Sequence, residues 1–143
     1  MLNPPLSAPP MPQSQNLNRH VKPFVDENPV SKALHFSMFE VQSRMQRLDP
    51  HALALEYTRT MMGFLLFNPA PRNITMIGLG GGSLAKFCYR YLRQSRIQVV
   101  EINPHVIALR DEFHVPGDDE RFTVTRGDGA QFVRDRSNRC DVL

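Results

Sequence analysis

The chain has 143 residues and a formal net charge of +3, with 17 Lys and Arg against 14 Asp and Glu. That length gives one domain by expectation; no apolar run is long enough for a membrane helix, and the proline-interrupted start lacks the continuous apolar stretch of a secretory signal. Basic residues are scattered among acids, and the densest group, Arg134, Arg136 and Arg139, has no aromatic ladder beside it, so neither nucleic acid nor membrane is an expected partner. Cys88 and Cys140 have no C-x-x-C spacing and the five histidines no metal-ligand spacing. Buried reduced thiols, no metal and a cytoplasmic setting are expected.

From Met1 to about Pro29 there is little periodic apolar content, and five of the twelve prolines fall within the first twelve residues, so residues 1–30 read as a disordered leader. Residues 31–48 read as a short β region, because Leu34, Phe36 and Met38, then Val41 and Met45, alternate roughly as in two strands or a hairpin. Asp49 followed by Pro50 is a helix-start signature. A helix is expected from there to about Phe67, with Leu53, Tyr57, Met61, Phe64 and Leu65 on one stripe, stopped by Pro69 and Pro71.

Residues 49–143, that helix included, form the expected nucleoside-binding domain. Strands are expected at about Asn73–Ile77, Ile97–Ile102, Phe122–Thr125 and Asp141–Leu143, and helices at about Ser83–Leu92, Pro104–Phe113 and Ala130–Arg134. This alternation is that of an α/β protein with a parallel sheet.

Between the first strand and its helix lies Ile77-Gly-Leu-Gly-Gly-Gly-Ser83. Gly78, Gly80 and Gly82 permit positive φ and close backbone approach, and the following helix presents unpaired N–H groups at the positive end of its dipole, so the loop suits a nucleotide-like ligand. Ser83 at the last position of G-x-G-x-x-G weakens a dinucleotide reading. Glu101 closes the next strand, where a carboxylate accepts from both hydroxyls of a ribose. Asp128, between Gly127 and Gly129, follows the third strand and is either a helix cap, an acceptor for an adenine amino group, or both.

Ile-Gly-Leu-Gly-Gly-Gly-Ser-Leu, Val-Glu-Ile-Asn-Pro and Gly-Asp-Gly-Ala-Gln-Phe, in this order and spacing, resemble the spermidine synthase family, the polyamine aminopropyltransferases. Leu34 to Gln42 resembles the family's N-terminal strand region, and Leu55-Glu-Tyr-Thr-Arg59 the helix with its tyrosine-led substrate motif. The resemblance implies the Rossmann-like fold of S-adenosylmethionine-dependent methyltransferases. It also implies a nucleoside loop at Gly78, Gly80 and Gly82, ribose held by Glu101, and the adenine end met by Asp128 and Gly129. The implied reaction is aminopropyl transfer in polyamine biosynthesis, from decarboxylated S-adenosylmethionine to a small-molecule amine.

Three positions depart from the family pattern. Gly81 stands where members usually carry a polyamine-binding aspartate, and Thr58 and Arg59 follow the helix tyrosine where histidine or glutamine and then glutamate are frequent. The family's proton-accepting aspartate follows the fourth strand, so no residue here is assigned as catalytic. The chain is expected to be a truncated member, inactive alone, whose open sheet edge favours a homodimer. Two other readings stay open: a methyltransferase-like enzyme using S-adenosylmethionine on another acceptor, and a non-catalytic remnant of the fold.

Overall fold

The computed structural model describes residues 20–143. Of the expected leader, residues 1–19 lie outside the described residues, and the remainder is not featureless. β1 (Phe24–Glu27) pairs antiparallel with β2 (Ser31–Ser37), Val25 opposite Leu34. So short a segment carries no readable period of its own, and its pairing comes from its neighbour.

β2 and β3 (Glu40–Gln46) form the expected hairpin, completing an antiparallel sheet in the order β1-β2-β3. A register shift between Leu34 and His35 interrupts the alternation, so Leu34, Ser43 and Met45 face the core whereas Met38 and Phe39 stand out at the turn, 80% and 96% exposed.

The helix expected from Asp49 begins later. Asp49 Oδ1 accepts from His51 N (3.3 Å) and the Asp49 carbonyl from Ala52 N (3.1 Å), which makes a turn and not a first helical turn. α1 spans Glu56–Met61 and tightens into a 3-10 segment, Met62–Leu66. Its buried residues are Thr58 and Met62, one position along from the expected Tyr57 and Met61, which are exposed.

Beyond the prolines, β4 (Asn73–Ile77), α2 (Ser83–Tyr91), β5 (Arg96–Glu101), α3 (Pro104–Ile107), β6 (Phe122–Arg126) and α4 (Gly129–Arg134) follow in the expected order. The three strands pair in parallel as β4-β5-β6. α3 is capped by Asn103 Oδ1 accepting from His105 N (3.0 Å), but it ends at Ile107 and the chain continues in turns to His114. In place of a fourth strand there is one parallel bridge, Ile74 to Val142, with Asp141 Oδ2 accepting from the N–H groups of Arg72 (2.7 Å) and Asn73 (2.8 Å).

One core joins the two sheets: Leu34 and Met45 from the first lie in the same buried cluster as Ile74, Cys88, Ile97, Val99, Phe113 and Phe122. Cys88 is buried as expected, with its thiol pushed up to about 12 by desolvation, whereas Cys140 is exposed on the irregular segment after α4. Arg121 closes the far end of α2, donating to the carbonyls of Tyr89, Leu92 and Ser95 at 3.1, 3.4 and 3.0 Å.

Candidate functional site at the ends of the parallel strands

Parallel pairing brings the carboxyl ends of β4, β5 and β6 side by side, Ile77 beside Val100 and Glu101 beside Arg126, so the loops after these strands meet at one edge. Of the six residues singled out in the sequence, five are on those loops or at the strand end, and Gly129 opens α4 directly after its loop.

The glycine loop is held in a left-handed form, with φ of 92° at Gly78, 55° at Gly80 and 68° at Gly82. Gly78 N donates to Val100 O (2.8 Å), extending the β4–β5 ladder by one bond, and Gly82 N donates to Leu79 O (2.9 Å), closing the turn into α2. Among the described residues no side chain caps α2, which leaves its first N–H groups directed at the loop. Gly81 and Gly82 answer to packing. A Cβ on Gly81 would lie 2.6 Å from Ser43 Oγ and 2.9 Å from Phe113 Cδ1, and one on Gly82 2.4 Å from Val115 Cγ2. Beneath the loop Ser43 and Ser83 share a buried hydroxyl–hydroxyl bond of 3.0 Å, tying β3 to the start of α2.

Glu101 is 7% exposed, and its two oxygens are divided. Oε2 accepts from Leu79 N in the glycine loop and Oε1 from Asn103 N in the next turn, each at 2.7 Å. The carboxylate thereby fixes both loops, and each oxygen retains a second lone pair. Asn103 Nδ2 donates to Val21 O (2.8 Å), which brings the segment before β1 to this edge.

Asp128 caps α4 through one oxygen, Oδ1 accepting from Ala130 N (2.8 Å) and Gln131 N (3.3 Å); Oδ2 has no partner among the described residues. The space at Gly129 belongs to packing, since a Cβ there would lie 2.2 Å from Ile77 Cγ2. Gly129 thus lets α4 approach the end of β4.

A cavity of about 490 Å³ opens on the other flank of the glycine loop, against β4, α1 and β3. Tyr57, Met61, Phe64, Met76 and Leu84 are among its walls, together with the backbone of Gly78 and Gly80. No acidic or basic side chain lines it among the described residues, and it touches neither Glu101 nor Asp128. Tyr57 donates its hydroxyl to Gln42 O (2.8 Å), and Arg59 turns back to the Leu53 carbonyl (3.0 Å), away from the wall. Among the described residues no group of three or more His, Cys, Asp or Glu is placed to hold a metal ion.

Sequence reasoning missed Lys86, the fourth residue of α2, which is 1% exposed. Its ammonium donates to Phe113 O (2.7 Å), and desolvation lowers its pKa from 10.5 to about 8. Neighbouring Ala85 and Cys88 mark this face as buried, which was the only signal available.

Three parallel strands whose first loop is glycine-rich and whose second strand ends in a buried carboxylate are half of a Rossmann-like sheet, and its solved neighbours have the fold of S-adenosylmethionine-dependent methyltransferases and spermidine synthases. A probable spermidine synthase from Corynebacterium glutamicum superposes with a TM-score of 0.62 at 16% identity, over 79% of this chain and 43% of that one. Human methyltransferase-like protein 13 in complex with SAH superposes with a TM-score of 0.50 at 26% identity, over 60% of this chain and 44% of that one. No family model matches the sequence. The polyamine aminopropyltransferase of Neisseria meningitidis is 43% identical over 114 residues, 78% of this chain. Over 78% of its length the chain is similar to a polyamine aminopropyltransferase, the family that its three motifs resemble. It spans less than half, 43%, of that relative's length.

Proposed function

We propose that this chain supplies the nucleoside half-site of an aminopropyl transfer, receiving decarboxylated S-adenosylmethionine and releasing methylthioadenosine, with a small-molecule amine as acceptor. The observation that carries the reading is the unspent acceptor capacity around the glycine loop. Glu101 has free lone pairs for two ribose hydroxyls, and the partnerless Asp128 Oδ2 is available to an adenine amino group. The left-handed loop and the uncapped start of α2 leave room and N–H groups beside them. The amine lone pair attacks the methylene carbon beside the sulfonium, the C–S bond breaks, and the amine proton passes to a base; attack requires the neutral amine. The cavity on the other flank of the loop is the place this chain offers the acceptor.

A second reading, methyl transfer from S-adenosylmethionine, is favoured by the likeness to the SAH-bound human methyltransferase-like protein 13. Titration calorimetry with methylthioadenosine, decarboxylated S-adenosylmethionine and S-adenosylmethionine separates the two. Preference for the first two supports aminopropyl transfer, preference for intact S-adenosylmethionine supports methylation, and binding of none of them refutes both. Removing the charge in Glu101→Gln should weaken methylthioadenosine by roughly ten- to a hundredfold, about 1.5–3 kcal/mol.

A further inference from the structure

Lys86 is costly where it stands. A buried ammonium loses its hydration, and among the described residues it recovers one hydrogen bond, to Phe113 O. An alkyl side chain would fill the same position without that cost, so packing alone does not account for a lysine here. It also does not line the cavity beside the loop.

What the ammonium holds is the stretch that supports the glycine loop. The Phe113 ring lies under Gly81 and the Val115 side chain under Gly82, each so close that a Cβ would collide. Between them His114 adopts φ of 55°, a left-handed conformation unusual for a residue with a side chain. That bend turns Phe113 and Val115 toward two successive loop glycines, and it persists only where the surroundings impose it. Lys86 joins the two parts at both ends: its backbone N–H donates to Gly82 O (2.8 Å) and its Nζ to Phe113 O (2.7 Å).

We propose that Lys86 is a positioning residue of the nucleoside loop, whose ammonium holds the Phe113 carbonyl and, through it, Phe113 and Val115 as props beneath Gly81 and Gly82. The consequence for ligand affinity rests on the functional reading above; the consequence for the free loop does not. Lys86 touches no ligand in this scheme and acts through the 113–115 bend.

Two measurements on the full chain test it. Amide hydrogen exchange of the ligand-free protein reads the Gly82 N–H, which is bonded to Leu79 O, against those of Val99 and Val100 in the central strand. Lys86→Met should raise exchange at Gly82 by at least about tenfold with the strand amides unchanged, and Val115→Ala, with Lys86 intact, should do the same. Calorimetry with methylthioadenosine should show each variant weakened by about tenfold and the double variant no weaker than the poorer single one, because both remove the same prop. Gly82 exchange within about twofold of wild type in either folded variant overturns the proposal, as does full multiplication of the two affinity losses. If Lys86→Met fails to fold, Val115→Ala decides by the same criterion. A wild-type protein that ignores methylthioadenosine while its loop exchange responds as expected refutes the ligand and keeps the prop.

Discussion

The buried lysine makes the stability of this protein depend on pH with a definite sign. In the folded state Lys86 titrates at about 8, against an ordinary 10.5. Between these values the unfolded chain still binds the proton that the folded chain has released, so stability rises with pH across that window. The whole window is worth about 3 kcal/mol, and the part between about pH 7 and 9 is worth about 1 kcal/mol. Cys88 works in the opposite direction, because burial raises its thiol from 9.0 to about 12 and the stability this confers is lost as pH rises above 9.0. The interval below pH 9 therefore isolates the lysine. Lys86→Met removes the titration and keeps most of the side-chain volume. Urea unfolding of both proteins at about pH 7, 8 and 9 should show the difference between them shifting toward wild type by about 1 kcal/mol. Parallel pH profiles would refute the reasoning, since they would mean that the ammonium is hydrated in the folded protein.

Asp128→Asn should keep the α4 cap, which uses one side-chain oxygen, so stability should change by less than about 0.5 kcal/mol while methylthioadenosine affinity falls; Asp128→Ala should also lose about 1 kcal/mol of stability. Denaturant melts alongside calorimetry check this, and equal stability of the two variants would remove the capping role. Gly82→Ala should cost about 2–5 kcal/mol, combining a left-handed alanine with a methyl placed against Val115 Cγ2, and a loss below about 1 kcal/mol in urea unfolding would show that the loop relaxes freely. A maleimide reagent followed by intact mass should modify Cys140 in the native protein and reach Cys88 only on unfolding; rapid double labelling would contradict the burial of Cys88.

The parts legible in the sequence were those whose signals are local. β4 matched its expected bounds because Pro69 and Pro71 precede it and Gly78 follows it, and α2 began at Ser83 because the glycines leave it no earlier start. Asp49-Pro50 misled for a reason equally local: the same Asx geometry serves a turn and a helix cap, and which one forms depends on residues 52–55, whose packing the pattern does not encode. β1 was invisible because its pairing with β2 is long-range information, and the Asp141–Leu143 strand shrank to a single bridge beside β4. At the candidate site, residue types singled out Glu101 and Asp128 as candidates, but not that Glu101 already receives two backbone N–H groups or that Gly129 makes room for Ile77. Lys86 was unreadable because a lysine in an amphipathic helix is ordinarily solvated.

The hydroxyl pair under the glycine loop bears on how this architecture can be divided. Ser83 belongs to the parallel α/β unit and Ser43 to the antiparallel hairpin, so the platform beneath the glycine loop is assembled from two structural modules and owned by neither. A chimera that grafts the parallel unit onto a foreign hairpin would inherit every motif recognisable in its sequence and still sit on a different floor. Exchange between relatives should therefore preserve the loop only when β3 travels with it.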